Sequence, residues 1–300
     1  MNIEQLEHVV EVAKMKSFSI ASENLRISQS GISRSISNLE KELGVKLFER
    51  SRLGTILTDD GEKIVKIAYE IVSKLQQLKE EAKIQTTSIN GKLRISASPS
   101  MLMTILLKAI PLFKKDYPGI ELEITEKPAD EIIENLRKNR IDIGLTFINE
   151  HIQKSNDIKF GTLVDGKINV CVNKNSPLSL NHALTPKEVS MHPLAMYNGV
   201  NMKYFIDHFF HEHGEMDVLF TSNNIEAVKR AVIEGIAIAF IVDLALKNDI
   251  YVKNGDIVLI PLTDCGITTI PFGWIRLKNQ YLSYAEKEFI KYLQLVSTNY

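Results

Sequence analysis

Ser17 and Ser28 each stand just before a short run of helix-forming residues, eleven positions apart, and this spacing constrains the chain more than any other feature. A serine hydroxyl accepts a hydrogen bond from an otherwise unpaired amide in the first turn of a helix, so the two positions predict helices over 17–25 and 28–43 joined by a tight turn. An opening helix precedes them. Asn2 with Gln5 three residues on is a capping-box pattern, and Ile3, Leu6, Val9, Val10 and Ala13 recur at helical spacing to supply a buried stripe. In the helix over 28–43, Ile32, Ile36, Leu39 and Leu43 share one face and are expected inward, against that stripe. The opposite face is left to Gln29, Ser30, Ser33, Arg34 and Ser37. Short or flat polar side chains let a helix sit deep in the major groove, with Gln29 suited to an adenine edge and Arg34 to guanine or phosphate. Gly31 lets the backbone come close. A face built only for solvation would carry Glu and Lys instead. The expectation is a helix-turn-helix that reads double-stranded DNA.

Residues 47–58 alternate and turn as a small hairpin, a wing, whose Arg50 and Arg52 can reach phosphates or the minor groove. Arg26, Arg34, Lys41, Lys46, Arg50 and Arg52 outnumber Glu40, Glu42 and Glu49 over this stretch, whereas the whole chain carries a formal net charge of -1. A focused basic patch rather than general polyanion binding follows. Thr58, Asp59, Asp60 and Glu62 then make a cap and an acidic first turn for a long helix. Along it Ile64, Ala68, Ile71, Leu75, Leu78 and Ala82 alternate steps of four and three, a heptad seam flanked by charge that predicts pairing of two subunits. Two reading heads related by a dyad would require dyad-related half-sites in the DNA.

A polar break at 84–90 reads as a hinge, so the expected divisions are a winged helix-turn-helix domain at 1–58, a dimerisation helix and hinge at 59–90, and an effector domain at 91–300. From Lys92 onward strand-like runs at 93–97, 120–125 and 141–147 alternate with helical ones at 100–115 and 129–139. A second set follows, with strands at 167–172, 194–197, 218–221 and 236–241 and helices at 201–213 and 225–234. Such alternation predicts a mainly parallel α/β sheet with helices on both faces, arranged as two lobes. A late strand at 268–276 and helix at 282–294 return to the first lobe, giving lobe I at about 91–161 and 266–300 and lobe II at about 162–265. Ligands of open α/β sheets bind beyond the carboxyl ends of the strands, near helix N-termini. The candidates there are Ser98, Ser100 and Met101, then Thr146 and Phe147, and in the second lobe Asn198, Gly199 and Asn201. Open amides with hydroxyl and amide side chains suit a carboxylate or other small anion, with Phe147 or Met101 over an apolar part.

Phe18, Ala21, Leu25, Ser28, Gln29, Ser33, Arg34, Ile36, Leu39, Glu40, Leu43, Gly44, Leu47, Phe48, Arg50, Thr58 and Gly61 stand in the order and spacing of the LysR-type transcriptional regulators, which the chain therefore resembles. The resemblance continues through 91–95, 142–145 and 234–240. Ser30 stands where that family often has proline, Gly31 where it often has alanine, and Ile20 where a small residue is usual. The resemblance implies a two-lobed, periplasmic-binding-protein-like effector domain and a ligand-responsive, sequence-specific DNA-binding regulator of transcription. It also implies a homodimer or a tetramer built as a dimer of dimers, and makes RNA polymerase a candidate partner.

Other classes fit less well. No phosphate-binding glycine loop, nucleophile elbow or zinc-binding histidine motif is present, so an enzyme is not expected and no cofactor is called for beyond the small-molecule effector. A small-molecule binding protein without a DNA role would not carry the N-terminal head. The N-terminus lacks a basic stretch followed by an apolar run, and the segment 236–242 is too short to cross a bilayer, which points to a cytoplasmic protein with no membrane partner. Relatives that sense redox state make Cys171 and Cys265 an alternative sensor. Yet Cys171 lies in an apolar strand-like run, and Cys265 is beside Asp264, whose charge would raise a thiol pKa. His208, His211 and His213 lack an accompanying ligand pair and read as a solvated helix end rather than a metal site.

Overall fold

The computed structural model describes residues 1–51, 54–84, 90–266 and 268–298. They form two compact units, Met1–Ser88 with Asn279–Tyr284, and Ile89–Lys278 with Ala285–Tyr300. In the first unit α1 (Ile3–Met15), α2 (Phe18–Leu25) and α3 (Gln29–Leu43) precede a hairpin of β1 (Phe48–Ser51) and β2 (Gly54–Leu57), and α4 (Asp59–Ile84) follows. The caps lie where their chemistry places them. Asn2 and Gln5 exchange both capping-box bonds, the Ser17 hydroxyl accepts from Ile20 N at 3.3 Å, and the Ser28 hydroxyl accepts from Gly31 N at 3.1 Å. Leu6, Val9, Val12, Ala21, Ile32, Ile36, Leu39 and Leu47 make one buried core. Leu43 and Ile3, expected inward, are exposed because each occupies a terminal turn with no further turn beyond it to complete the packing.

The hairpin is locked to its surroundings. Thr58 donates its hydroxyl to Lys46 O at 2.6 Å and accepts from Gly61 N at 2.9 Å, which starts α4 directly beneath the wing. A Cβ at position 61 would lie 2.1 Å from Leu47 O, so only glycine permits this approach. The heptad seam expected along α4 is divided. Ala68 is buried in the core of the head, with Ile64, Val65 and Val72 packed against it, whereas Ile67, Ile71 and Leu78 are exposed and Leu75 is half-buried. The Ala82 side chain and the hinge segment 85–89 lie outside the described residues.

The second unit begins with β3 (Gly91–Ala97) and a helical run in which α5 (Pro99–Met101) passes through a π-helical stretch at Leu102–Leu106 into α6 (Leu107–Asp116). Then come β4 (Ile120–Glu126), α7 (Ala129–Arg137), β5 (Ile143–Phe147), α8 (Glu150–Gln153) and the long β6 (Ile158–Asn173). The second lobe follows as α9 (Pro186–Val189), β7 (Leu194–Tyr197), α10 (Val200–His213), β8 (Val218–Ser222), α11 (Ile225–Ile233), β9 (Ala239–Val242), α12 (Ile250–Lys253) and β10 (Ile257–Pro261). β11 (Thr269–Leu277) and α13 (Tyr284–Ser297) complete the chain.

The expected mainly parallel sheet is a mixed one. β4, β3 and β5 are parallel, but β11 lies antiparallel between β5 and β6, and β6 continues onward to pair antiparallel with both β9 and β10. Only the second half of β6 was legible as a strand, since half of its first eight residues are exposed and only Ile158 among them is buried. β7 and β8 form a separate parallel pair. Where β6 and β11 meet, a Cβ on Gly273 would fall 2.1 Å from Gly161 O, and the register slips by one residue between Phe272 and Gly273. The lobe-I core gathers Ile132, Leu136, Ile141, Ile148, Ile152 and Ile275, and that of lobe II gathers Cys171, Ala195, Val228, Val232, Ile241 and Ile257. Lys229 is buried in lobe II against Asp249 and Glu226, each at 2.5 Å, pinning α11 to the start of α12.

Candidate nucleic-acid interface and effector cavity

With Ile32, Ile36 and Leu39 buried, α3 turns Gln29, Ser30, Ser33 and Arg34 outward, and Ser37 is half-buried. The Ser28 and Ser30 hydroxyls are 3.2 Å apart, so the first turn offers a linked pair of groups that donate or accept. Arg34 has no ion pair among the described residues, which leaves its guanidinium free for a base edge or a phosphate. Arg50 is paired with Thr55 in the hairpin ladder, but its side chain, and Arg52 altogether, lie outside the described residues.

Two polar residues to which the sequence reading gave no structural role set the pose of α3. His8 is buried on α1, and its Nδ1 is 2.8 Å from the Ser35 hydroxyl on α3. Glu40 is buried at the far end, where Oε1 accepts from Leu47 N at 2.8 Å and Phe48 N at 3.4 Å, and Oε2 accepts from Lys46 Nζ at 2.7 Å. Burial pushes the Glu40 carboxyl up, but the Lys46 ammonium and the two amides outweigh it and hold the group below its ordinary value. A signal existed in the sequence. Both residues interrupt an apolar helix face, and a polar group in such a stripe calls for a partner.

In the second unit a cavity of about 540 Å³ opens at the carboxyl ends of β3, β4 and β5, facing the start of α10. Five of the expected residues line it: Ser98, Ser100, Phe147, Asn198 and Gly199. Ser98 caps the run that starts at Pro99 without using its side chain. Only 9% of it is exposed, and its Oγ has no hydrogen-bond partner. Gly199, not Asn201, is the N-cap of α10, so the first amides of that helix have no side-chain cap. Asn201 falls inside the helix and its side chain is outside the described residues.

Met101 and Thr146 are fully buried and do not line the cavity. Met101 is turned into the core, and Thr146 precedes Phe147 in a strand, where consecutive side chains point to opposite faces. Residues absent from the sequence reading complete the wall: Glu126, Asp130, Tyr197, Met202, Lys203 and Asn223, with Phe240 and Phe272 among the apolar ones. They come from strand ends and loops far apart in the chain. Burial, with a contribution from Glu126, raises the Tyr197 phenol above its ordinary value.

Both cysteines have surroundings that disfavour the thiolate. Burial, with the Asp249 charge, drives the Cys171 thiol far above its ordinary value, and burial with Glu212 raises Cys265. His208 lies 3.4 Å from Glu212, and the His213 ring packs tilted against Phe209 with ring centroids 5.0 Å apart. Among the described residues no group of three or more His, Cys, Asp or Glu is placed to hold a metal ion. Nor is any described helix long and apolar enough to cross a membrane.

Residues 3–62 match the family model described as bacterial regulatory helix-turn-helix protein, lysR family, and residues 86–296 match the LysR substrate binding domain. An uncharacterized HTH-type transcriptional regulator of Bacillus subtilis, YvbU, is 28% identical over 249 residues, covering 83% of this chain and 84% of the relative. Among solved structures, a hydrogen-peroxide-bound cysteine-to-serine mutant of OxyR from Corynebacterium glutamicum aligns with a TM-score of 0.60 at 21% identity, over 99% of this chain and 94% of that one. Full-length CbnR in complex with its target DNA aligns with a TM-score of 0.57 at 18% identity, over 99% and 100%. The helix-turn-helix head, the two-lobed domain and these matches together place the chain in the LysR family, as a ligand-responsive DNA-binding transcriptional regulator and not an enzyme.

Proposed function

We propose that this regulator recognises a specific DNA sequence through Gln29, Ser30, Ser33, Arg34 and Ser37 of α3, and that a small acidic effector in the cavity of the second unit sets how tightly it does so. The observation that carries the DNA half is the outward face of α3, where Arg34 is exposed and without an ion pair among the described residues. Serines beside it keep the helix slim enough to enter the major groove. Arg50 and Arg52 of the wing would add contacts to the backbone. Pairing through the exposed Ile67, Ile71 and Leu78 of α4 would relate two heads by a dyad and call for dyad-related half-sites. A dimer of such dimers would span two sites of this kind.

The effector half is supported by the unpartnered Ser98 hydroxyl, by Ser100 and by the open start of α10, which offer donors to an acidic group while Phe147 covers an apolar part. Effector and DNA binding are then linked, so each changes the affinity for the other by the same factor. The test of the reading is Arg34→Ala on cognate and random DNA. Loss of a base contact weakens cognate binding by about 1–3 kcal/mol and random binding much less. Equal losses on both would reduce Arg34 to a phosphate contact, and no loss would remove α3 from the interface.

A further inference from the structure

We infer that the effector is an α-amino acid, a ligand whose ammonium group is held by Glu126 and Asp130 while its carboxylate is held by the donors named above. The inference rests on the effector reading of the cavity and adds the second charge to it. Glu126 ends β4 directly opposite Ala97 of β3, and Lys127 N donates to Ala97 O at 3.1 Å. Ser98, the residue after Ala97, therefore sits at the adjacent strand end with its unpartnered Oγ. Asp130 lies in the first turn of α7, and both carboxylates line the cavity with no ion pair among the described residues. Lys127, the cation nearest to them in the chain, is engaged by Glu131 at 2.8 Å.

Across the cavity Lys203 stands in the first turns of α10, also without an ion pair among the described residues, beside the helix start that lacks a side-chain cap. Unpaired charges on the wall are thus two negative on lobe I and one positive on lobe II. A simple carboxylate would meet Lys203 and the helix start but would face two carboxylates that have no ion pair among the described residues, a repulsion that weakens binding. A simple amine would have the reverse difficulty. A zwitterion gives each charge a partner: its ammonium meets the lobe-I carboxylates and its acid meets Lys203 and the start of α10 on lobe II, with the Ser98 hydroxyl of lobe I adding a donor to that acid. Phe147, Phe240, Phe272, Ile241 and Val242 leave an apolar wall for a hydrophobic side chain.

The experiment is calorimetry and thermal unfolding of the full chain with every common L-α-amino acid. Any that binds is compared with its deaminated acid and its decarboxylated amine, for example L-phenylalanine against 3-phenylpropanoate and phenethylamine. The expected result is that an amino acid with an apolar side chain binds at least about tenfold tighter than either counterpart, as hydrogen bonds to charged groups dictate. Glu126→Gln combined with Asp130→Asn should abolish the advantage over the acid while leaving affinity for the acid itself undiminished. Both positions are exposed, so the fold is retained. Failure of every amino acid to bind, or an acid that binds as tightly as its amino acid, overturns the inference, and the second outcome leaves the cavity reading intact. Amino-acid binding that Ser98→Ala and Phe147→Ala both leave unchanged would instead move the site out of this cavity.

Discussion

Glu40→Ala should destabilise the head selectively, because this carboxylate is what joins the end of α3 to the wing. Only 7% of Glu40 is exposed, and its shortest backbone bond, to Leu47 N at 2.8 Å, is buried. A hydrogen bond to a charged group contributes about 1.5–3 kcal/mol, and a buried amide left without its acceptor costs about 1–3 kcal/mol. The Phe48 bond at 3.4 Å is long, and Lys46, whose side chain is 73% exposed, adds less than about 1 kcal/mol. Allowing for overlap between these effects, the expected loss is about 2–4 kcal/mol. Glu40→Gln keeps a carbonyl oxygen for Leu47 N and should cost about 1 kcal/mol.

Hydrogen exchange of α1 and α3 peptides reads this loss in the full chain without requiring that both units unfold together. The pH dependence has a fixed sign. The folded-state pKa lies below the ordinary 4.5, so the carboxylate's contribution is complete above about 4.5 and is lost as pH falls through the lower folded value. Wild type should therefore lose its advantage over Glu40→Gln on acidification through that window. A loss under about 0.5 kcal/mol in Glu40→Ala, the range of ordinary surface substitutions, would refute the reasoning. So would a wild-type advantage that does not change with pH.

Other outcomes follow from the same geometry. Ile71→Glu and Leu78→Glu place a charge on the exposed apolar row of α4 and should dissociate the pairing helices in sedimentation, with DNA affinity falling alongside; an unchanged mass would remove this row from the interface. In the second unit, Lys229→Ala leaves the buried Asp249 carboxylate without its cation and should cost about 3–5 kcal/mol in thermal unfolding. Lys229→Met with Asp249→Asn, which retains an acceptor for the amides of Tyr251 and Val252, should recover most of that loss.

The head was legible because its determinants are local. Ser17, Ser28 and the Asn2–Gln5 pair each act on amides within three residues, and the apolar stripes of α1 and α3 repeat within one helix. The second unit was legible only where burial was one-sided. β6 was read over its buried half and missed where Lys159, Phe160 and Thr162 are exposed, and β10, in which Ile257 and Ile260 are buried with the half-buried Val258 and Leu259 between them, shows no two-residue alternation by which to read it. The antiparallel placement of β11 brings Thr269 opposite Lys167, a pairing across about a hundred residues that no local pattern encodes. The cavity of the second unit shows the same division. Strand ends and helix starts located Ser98, Ser100, Phe147, Asn198 and Gly199, while Glu126, Asp130 and Lys203 join them only through tertiary folding.

In the long helix the heptad read from sequence mixes two faces. A straight α-helix turns about 100° per residue, so Ile64, Ala68, Val72 and Val65 fall within an arc of about 100°, all of it against the head. Ile67, Ile71 and Leu78 fall within an arc of about 40° centred about 90° away, all of it exposed. The heptad read from sequence crosses from one arc to the other, because steps of four and three average 3.5 residues and drift about 20° per heptad against the helix. Leu75 lies on the side of the head-facing arc nearest the exposed row and is half-buried, in keeping with that geometry. A second subunit can therefore use the Ile67, Ile71 and Leu78 row without removing Ala68 from the head's core. A charge at Ala68 would unfold the head, whereas one at Leu78 would separate the heads and leave each folded.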